Sequence, residues 1–189
     1  HDDALKDALR QDWDHKPMSY WKARKAVFSG IDGNGKEATC VYTGEKLSYS
    51  GGVPNPRYAQ VEHTWPKSKN LPESANADLH HLFPVLPEAN IARMNFQFGK
   101  VFVKGAWERG GSKVGVSLDK KIVFEVRPEQ RGDTARAMFY ISTMHKLPLS
   151  ETEEKTLRIW HRGDPVSAAE RARNKRIVKL QKSSNPFVT

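Results

Sequence analysis

Five short runs of strand-forming residues fill the middle of this chain, and helical patterns lie on both sides of them. The runs are separated by Gly and Pro and read ATCVYTG, RYAQVEHTW, KVFVKGAW, SKVGVS and KIVFEV. Apolar residues recur at helical spacing in ALKDALRQDWDH and MSYWKARKAVFSGI before them, and in GDTARAMFYISTMHK, SETEEKTLRIWHR and PVSAAERARNKRIVKLQ after them. Strands in the middle and helices at both ends predict an α+β fold with short antiparallel strands.

Length and composition predict one globular domain over residues 1–189. The chain has 189 residues, no internal repeat and no low-complexity linker. Its 31 Lys and Arg against 22 Asp and Glu give a net charge of +9, which is typical of proteins that meet polyanions. The single cysteine, Cys40, excludes an internal disulfide and is expected to be a small buried residue on a strand. No apolar run is long enough to predict a membrane helix.

Local signals mark where several elements begin. Ser19 stands where it can cap the second helix, and Ser150 with Glu153 three residues later forms the pattern of a capping box. The run IDGNGK looks like part of a calcium loop, but Lys36 occupies a ligand position and the closing Glu is absent, so we predict a turn.

The chemistry-bearing residues cluster in residues 57–96, where a strand, a loop and a helix are expected. Glu62 and His63 are neighbours at the end of a strand, so their side chains point to opposite faces. Pro87 suits the first position of the helix, and along that helix Asn90 and Arg93 share one face. This ββα layout can surround a single metal ion.

The residue types favour a magnesium site with a separate base. The Glu62 carboxylate and the Asn90 amide oxygen are hard donors that suit Mg²⁺, with Mn²⁺ and Ca²⁺ as alternatives. His63, with an ordinary pKa of about 6.5, suits a general base for an attacking water. A strand histidine is more often structural, and zinc binding by His80 and His81 is disfavoured because no third ligand lies nearby.

Three blocks in this region resemble a known family signature. VEHTWPKS, DLHHLFP and NIARMN are similar to the pattern of the bacterial endonuclease I family, non-specific nucleases of the ββα-metal (His-Me finger) superfamily. Later blocks extend the resemblance from about Tyr42 to the C-terminus. It implies a divalent-metal-dependent endonuclease that cuts DNA and RNA to 5′-phosphate ends.

The resemblance also implies roles for individual residues. His63 is the expected general base, Glu62 and Asn90 the metal ligands, and Arg93 a residue beside the phosphate or buttressing the site. His81 replaces the family's asparagine, so either a ring nitrogen of His81 orients the base or that role has moved. The implied supporting residues are Asp78, His80 and Asn95.

Substrate binding is expected to use phosphate contacts without sequence specificity. Lys67 and Lys69 stand beside the site, and the last helix adds a second basic group whose simpler interpretation is a solvated face: Arg171, Arg173, Lys175, Arg176 and Lys179. Trp65 is expected in the core, with stacking on a base as the alternative.

Two other functions fit the same residues. A basic DNA-binding module that has lost turnover would retard DNA without cutting it, and a site-specific nuclease would give discrete fragments. The family resemblance and the start at His1 predict a secreted or periplasmic protein that does not enter membranes.

Overall fold

The computed structural model describes residues 2–11 and 13–188, without the side chains of residues 2 and 3. Asp12, part of the first predicted helix, and the two chain ends lie outside the described residues. The helices are α1 (Asp2–Gln11), α2 (Tyr20–Ala26), α3 (Pro87–Arg93), α4 (Arg131–Met144), α5 (Glu151–Gly163) and α6 (Ala168–Gln181). The strands are β1 (Glu37–Thr39), β2 (Lys46–Ser48), β3 (Gln60–His63), β4 (Leu82–Val85), β5 (Gln97–Phe98), β6 (Val103–Arg109), β7 (Ser112–Val116) and β8 (Ile122–Glu125).

Three small sheets lie between the terminal helices, which confirms the predicted α+β fold. β1 pairs with β2 and β3 pairs with β4, both antiparallel. The third sheet has the order β5-β8-β7-β6, and its β5–β8 pair is parallel, contrary to the antiparallel expectation. The β6–β7 hairpin explains the difference, because it returns the chain so that β8 runs in the direction of β5.

Helix starts follow the capping signals in the sequence. The Ser19 side chain accepts a hydrogen bond from the Lys22 main-chain N–H, and Ser150 accepts one from the main chain of Glu153. The second half of the predicted capping box is absent, since the Glu153 carboxylate instead accepts the Phe98 main-chain N–H at 2.8 Å. This carboxylate therefore ties α5 to β5.

Two further predictions concern the segments on either side of β1. The run IDGNGK forms the expected turn, in which the Asn34 side-chain oxygen accepts the main-chain N–H groups of Lys36 and Glu37. Cys40 is fully buried as predicted, but it lies one residue beyond the end of β1 rather than on the strand.

One hydrophobic core joins the sheets to the helices, and its buried side chains come from segments between Ala23 and Ile177. The last helix contributes through its arginines as well. Arg173 is buried and binds the Asp32 carboxylate at 2.7 and 3.1 Å, and Arg176 donates to the Ile31 carbonyl. A solvated face describes Arg171, Lys175 and Lys179, whereas Arg173 is a structural residue. None of the described helices is long and apolar enough to cross a membrane.

Candidate active site

The strand pair β3–β4 and helix α3 form the predicted ββα unit. Glu62 lies opposite Phe83, and His63 lies opposite Leu82, in the antiparallel register of the two strands. The chain then enters α3, which begins with Pro87 and carries Asn90 in its second turn.

Glu62 and His63 have separate partners, as their alternation along β3 requires. Glu62 contacts Tyr42 and Arg93. The His63 ring instead lies beside Tyr20 and His81. The side chains of Glu62 and His63 therefore lie in two different environments at the end of β3.

The Glu62 carboxylate lies in a buried polar pocket. The Tyr42 hydroxyl donates to Oε1 at 2.6 Å, and Nε of Arg93 lies 3.7 Å from the same oxygen. Burial raises the pKa of Glu62 to about 7, against the opposing effects of Arg93 and Tyr42. A nearby cation would favour the charged form of such a carboxylate, so its environment fits a metal ligand.

Asn90 is oriented by the strand beside it. Its Nδ2 donates to the side-chain oxygen of Gln60 at 2.8 Å, and Gln60 lies two residues before Glu62, on the same face of β3. This hydrogen bond assigns the amide group so that the Asn90 oxygen is free for another partner.

The side chains of Glu62 and Asn90 could therefore bind a cation through oxygen atoms. Within the described part of the chain, no three side chains of His, Cys, Asp or Glu converge as a metal cage. Two protein oxygens, from Glu62 and Asn90, fit a Mg²⁺ ion that keeps most of its waters and shares oxygens with a phosphate.

His63 is held in one tautomer by the main chain. Its Nε2 lies 2.9 Å from the carbonyl oxygen of Asn76. Because a carbonyl can only accept, Nε2 carries the proton and Nδ1 has a free lone pair. Burial lowers the pKa of His63 to about 4, so the ring is neutral at pH 7 and can accept a proton.

Two aromatic rings restrict the plane of the His63 imidazole. The Tyr20 ring stacks on it with a centroid distance of 5.7 Å and an interplanar angle of 21°. The His81 ring approaches edge-on at 5.3 Å and 78°. The base is thus fixed by α2 on one side and by the segment before β4 on the other.

The hydrogen bond that orients His63 comes from the Asn76 main chain and not from His81. His81 is fully buried, and its Nε2 lies 2.9 Å from the carbonyl oxygen of Ala75, while its Nδ1 has no hydrogen-bond partner. Of the two expected alternatives, these contacts favour the one in which the orienting role has moved. His63 and His81 thus form hydrogen bonds to the carbonyl oxygens of two consecutive residues in the same loop, Asn76 and Ala75.

Asp78 and His80 tie this loop to the C-terminal part of the chain. Asp78 is fully buried and accepts from the side chain of Gln181 at 2.7 Å, and His145 Nε2 lies 3.2 Å from its second oxygen. His80 Nε2 lies 3.1 Å from the Ser183 carbonyl oxygen. These contacts suit the supporting role that the resemblance implies.

Arg93 lies inside the protein rather than at a substrate surface. The residue is 0% exposed, donates to the carbonyls of Thr64 and Phe96, and packs its guanidinium on the Phe98 ring at 4.2 Å. A direct phosphate contact does not fit this burial, so the prediction of Arg93 as a nucleic-acid-binding residue is corrected to a buttress of Glu62. Asn95 is exposed and donates to Ser68.

The loop after β3 carries the remaining candidates. Lys67 is exposed, and its ammonium lies 4.7 Å from the centre of the Tyr20 ring. Lys69 is half-buried, and burial lowers its pKa. Trp65 is 4% exposed and donates to the Lys69 carbonyl, so it is a core residue as expected and not a stacking platform. Lys67 is the more accessible of the two lysines.

Sequence patterns missed the residues that hold the site together. Tyr42, Gln60 and Asn76 contact the three candidate residues directly, yet none of them belongs to the blocks that carry the family resemblance. Strand alternation could have indicated Gln60, because it lies two residues before Glu62 and therefore on the same face.

A basic α+β domain whose ββα unit presents a glutamate, a histidine and an asparagine has the architecture of a ββα-type nuclease. Residues 24–189 match the Endonuclease I family, and the chain belongs to this family. The resemblance seen in the sequence is therefore confirmed, and the protein is an endonuclease.

Relatives with established names cover nearly the whole chain. An extracellular deoxyribonuclease of Aeromonas hydrophila is 26% identical over 199 residues, covering 98% of this chain and 87% of the relative. A periplasmic deoxyribonuclease of the same organism is 27% identical, with 98% and 84% coverage. An extracellular ribonuclease of Bacillus amyloliquefaciens is 30% identical over 213 residues, with 98% and 70% coverage. These names support the predicted secreted or periplasmic location.

Proposed function

We propose that this protein is a divalent-metal-dependent endonuclease that hydrolyses phosphodiester bonds of DNA and RNA without sequence specificity. Relatives named as deoxyribonucleases and as ribonucleases support both substrates. The observation that carries the mechanism is the hydrogen bond from His63 to the Asn76 carbonyl, because it leaves a free nitrogen on a neutral, immobilised ring.

The proposed reaction begins with proton transfer to this nitrogen. Nδ1 of His63 takes a proton from a water molecule, whose oxygen attacks the phosphorus while the bond to the 3′ oxygen breaks. The 3′ oxygen takes up a proton from solvent and His63 later returns its proton to solvent, so the products are a 5′-phosphate and a 3′-hydroxyl. Because Tyr20 and His81 fix the ring plane, the base does not have to reorient at each turnover.

Glu62 and Asn90 are the residues that would hold the metal, with Mg²⁺ favoured and Mn²⁺ and Ca²⁺ as alternatives. When bound, the ion supplies a positive charge that stabilises the phosphate and the leaving oxygen in the transition state. Tyr42 and Arg93 hold the Glu62 carboxylate, and Gln60 holds the Asn90 amide.

Substrate binding is proposed to rely on the phosphate backbone. The net charge of +9 attracts nucleic acid of any sequence, and the exposed Lys67 lies beside the proposed base. Contacts of this kind position the strand but do not read bases.

Plasmid cleavage by the His63→Ala variant tests the proposal. The variant should lose cleavage by at least about 100-fold while retaining DNA binding and the folded circular-dichroism spectrum. His161→Ala, at a half-buried histidine on α5, serves as the matched control and should cut like the wild type. Retained cleavage by His63→Ala would show that His63 is not the general base.

The same gel separates the other two functions. A smear that disappears with EDTA supports a metal-dependent, non-specific nuclease. Discrete fragments would indicate a site-specific enzyme, and retarded DNA of full length would indicate a binding module without turnover.

A further inference from the structure

Tyr42 is the least expected partner of the candidate metal site. It lies in the segment after β1, and its fully buried hydroxyl donates to Oε1 of Glu62 at 2.6 Å. A distance of 2.6 Å is at the short end of the range for O–H···O hydrogen bonds, and such a bond is stronger when the carboxylate is ionised. One of the two carboxylate oxygens is therefore engaged before any cation arrives.

The Tyr42 side chain is itself immobilised. Its ring packs on Phe124 of β8 with a centroid distance of 4.7 Å, and its carbonyl accepts a hydrogen bond from the Ser112 hydroxyl at 2.6 Å. The four-stranded sheet thus fixes both the ring and the backbone of Tyr42, so its hydroxyl has one position relative to β3.

Arg93 constrains the same oxygen from a second direction. Its Nε lies 3.7 Å from Oε1 of Glu62 and has no hydrogen-bond partner of its own. The guanidinium packs over the rings of Phe98 and Phe124 at 4.2 and 5.9 Å, which prevents it from moving away. Phe124 therefore supports both partners of Glu62.

From these contacts we infer that Tyr42 is a positioning residue that reserves Oε1 of Glu62 and leaves Oε2 as the single metal-binding oxygen. The inference rests on the proposed function, in which Glu62 is a metal ligand. A carboxylate whose Oε1 is already engaged by two partners would hold the ion through Oε2, which would leave more positions for water and phosphate.

Metal binding by the Tyr42→Phe variant provides the first test, with Mn²⁺ as the probe and calorimetry as the readout. Removing the hydroxyl should weaken Mn²⁺ binding by about 10-fold or more, as is typical for residues that orient a metal ligand. The matched control is Tyr140→Phe, because the Tyr140 hydroxyl is also buried and bonded, to Trp13 and Ser183. This control should bind Mn²⁺ like the wild type.

A Glu62→Gln variant in the same titration distinguishes the positioning role of Tyr42 from the metal-ligand role of Glu62. If Glu62→Gln loses Mn²⁺ binding but Tyr42→Phe binds like the wild type, the positioning role is wrong and the proposed metal site stands. If Glu62→Gln itself binds like the wild type, Glu62 is not a ligand and both are overturned.

Infrared difference spectra of the wild type provide a second test that does not depend on the folding of Tyr42→Phe. The bands of the Glu62 carboxylate are identified as those that are present in the wild-type spectrum and absent from the spectrum of the Glu62→Gln variant. Binding through one oxygen should widen the separation of the antisymmetric and symmetric stretches when metal is added. A narrower separation would indicate binding through both oxygens and would overturn the inference.

Discussion

Replacement of Asp78 should destabilise the protein more than any surface substitution, although Asp78 is not proposed to touch substrate. Its carboxylate is fully buried and accepts from the His80 main chain at 3.1 Å, from Gln181 at 2.7 Å and from His145 at 3.2 Å. These three donors come from separate parts of the chain, so one side chain joins the loop before β4 to α6 and to the end of α4.

The magnitude follows from the donors that Asp78→Ala would leave without a partner. A buried donor that loses its acceptor costs about 1–3 kcal/mol, so three of them cost about 3–9 kcal/mol in the free energy of unfolding. Domains are stable by only about 5–15 kcal/mol, and the variant should therefore be close to unfolded. Asp78→Asn keeps the shape and one oxygen acceptor, and should cost about 2–4 kcal/mol.

Urea unfolding followed by tryptophan fluorescence at pH 7.5 measures these values. Asp119→Asn is the control, because Asp119 is exposed in the turn between β7 and β8, and it should stay within about 0.5 kcal/mol of the wild type. Asp78→Asn should also lower cleavage in its folded fraction, since Asp78 lies two residues after Asn76, which holds His63. An Asp78→Ala variant within about 1 kcal/mol of the wild type would refute the reasoning.

Two further predictions concern pH and salt. Burial lowers the pKa of His80 to about 4, and burial with the nearby His63 lowers that of His81 to about 3. Between pH 6.5 and pH 4, the two residues are protonated in the unfolded chain but not in the folded protein. As the pH falls through this range, the free energy of unfolding should therefore decrease by about 1.4 kcal/mol per pH unit for each residue. Equal urea midpoints at pH 7 and pH 5 would contradict this prediction. Lys67→Ala should reduce the slope of log affinity against log salt on duplex DNA by about 0.9, measured by fluorescence anisotropy, and an unchanged slope would remove Lys67 from the phosphate contacts. Lys120→Ala, in the turn between β7 and β8, controls for the loss of one charge and should change the slope less.

Local sequence patterns predicted the elements that carry the candidate site. Pro87 begins α3, and Ser19 and Ser150 cap their helices, because each of these preferences acts within one turn of chain. The capping-box interpretation failed at Glu153 for the opposite reason. Its carboxylate found a distant main-chain N–H on Phe98, and nothing near Glu153 in the sequence indicates that contact.

Burial of polar side chains was the least predictable property. Arg93 and Asn90 are spaced to share one face of α3, yet Arg93 is fully buried and Asn90 is half-buried. The difference arises because Phe98 and Phe124 surround the guanidinium, and β5 and β8 bring these rings there only in the folded chain.

By itself, the sequence determined the α+β class and the family, and it indicated the three residues for which roles are proposed, Glu62, His63 and Asn90. Each of these depends on residue type and short spacing, which are visible in a linear chain. Only the tertiary structure decided how those residues are held, through Tyr42 and the Asn76 carbonyl. Such contacts join segments that are separated along the chain by 20 and 13 residues, and packing brings them together.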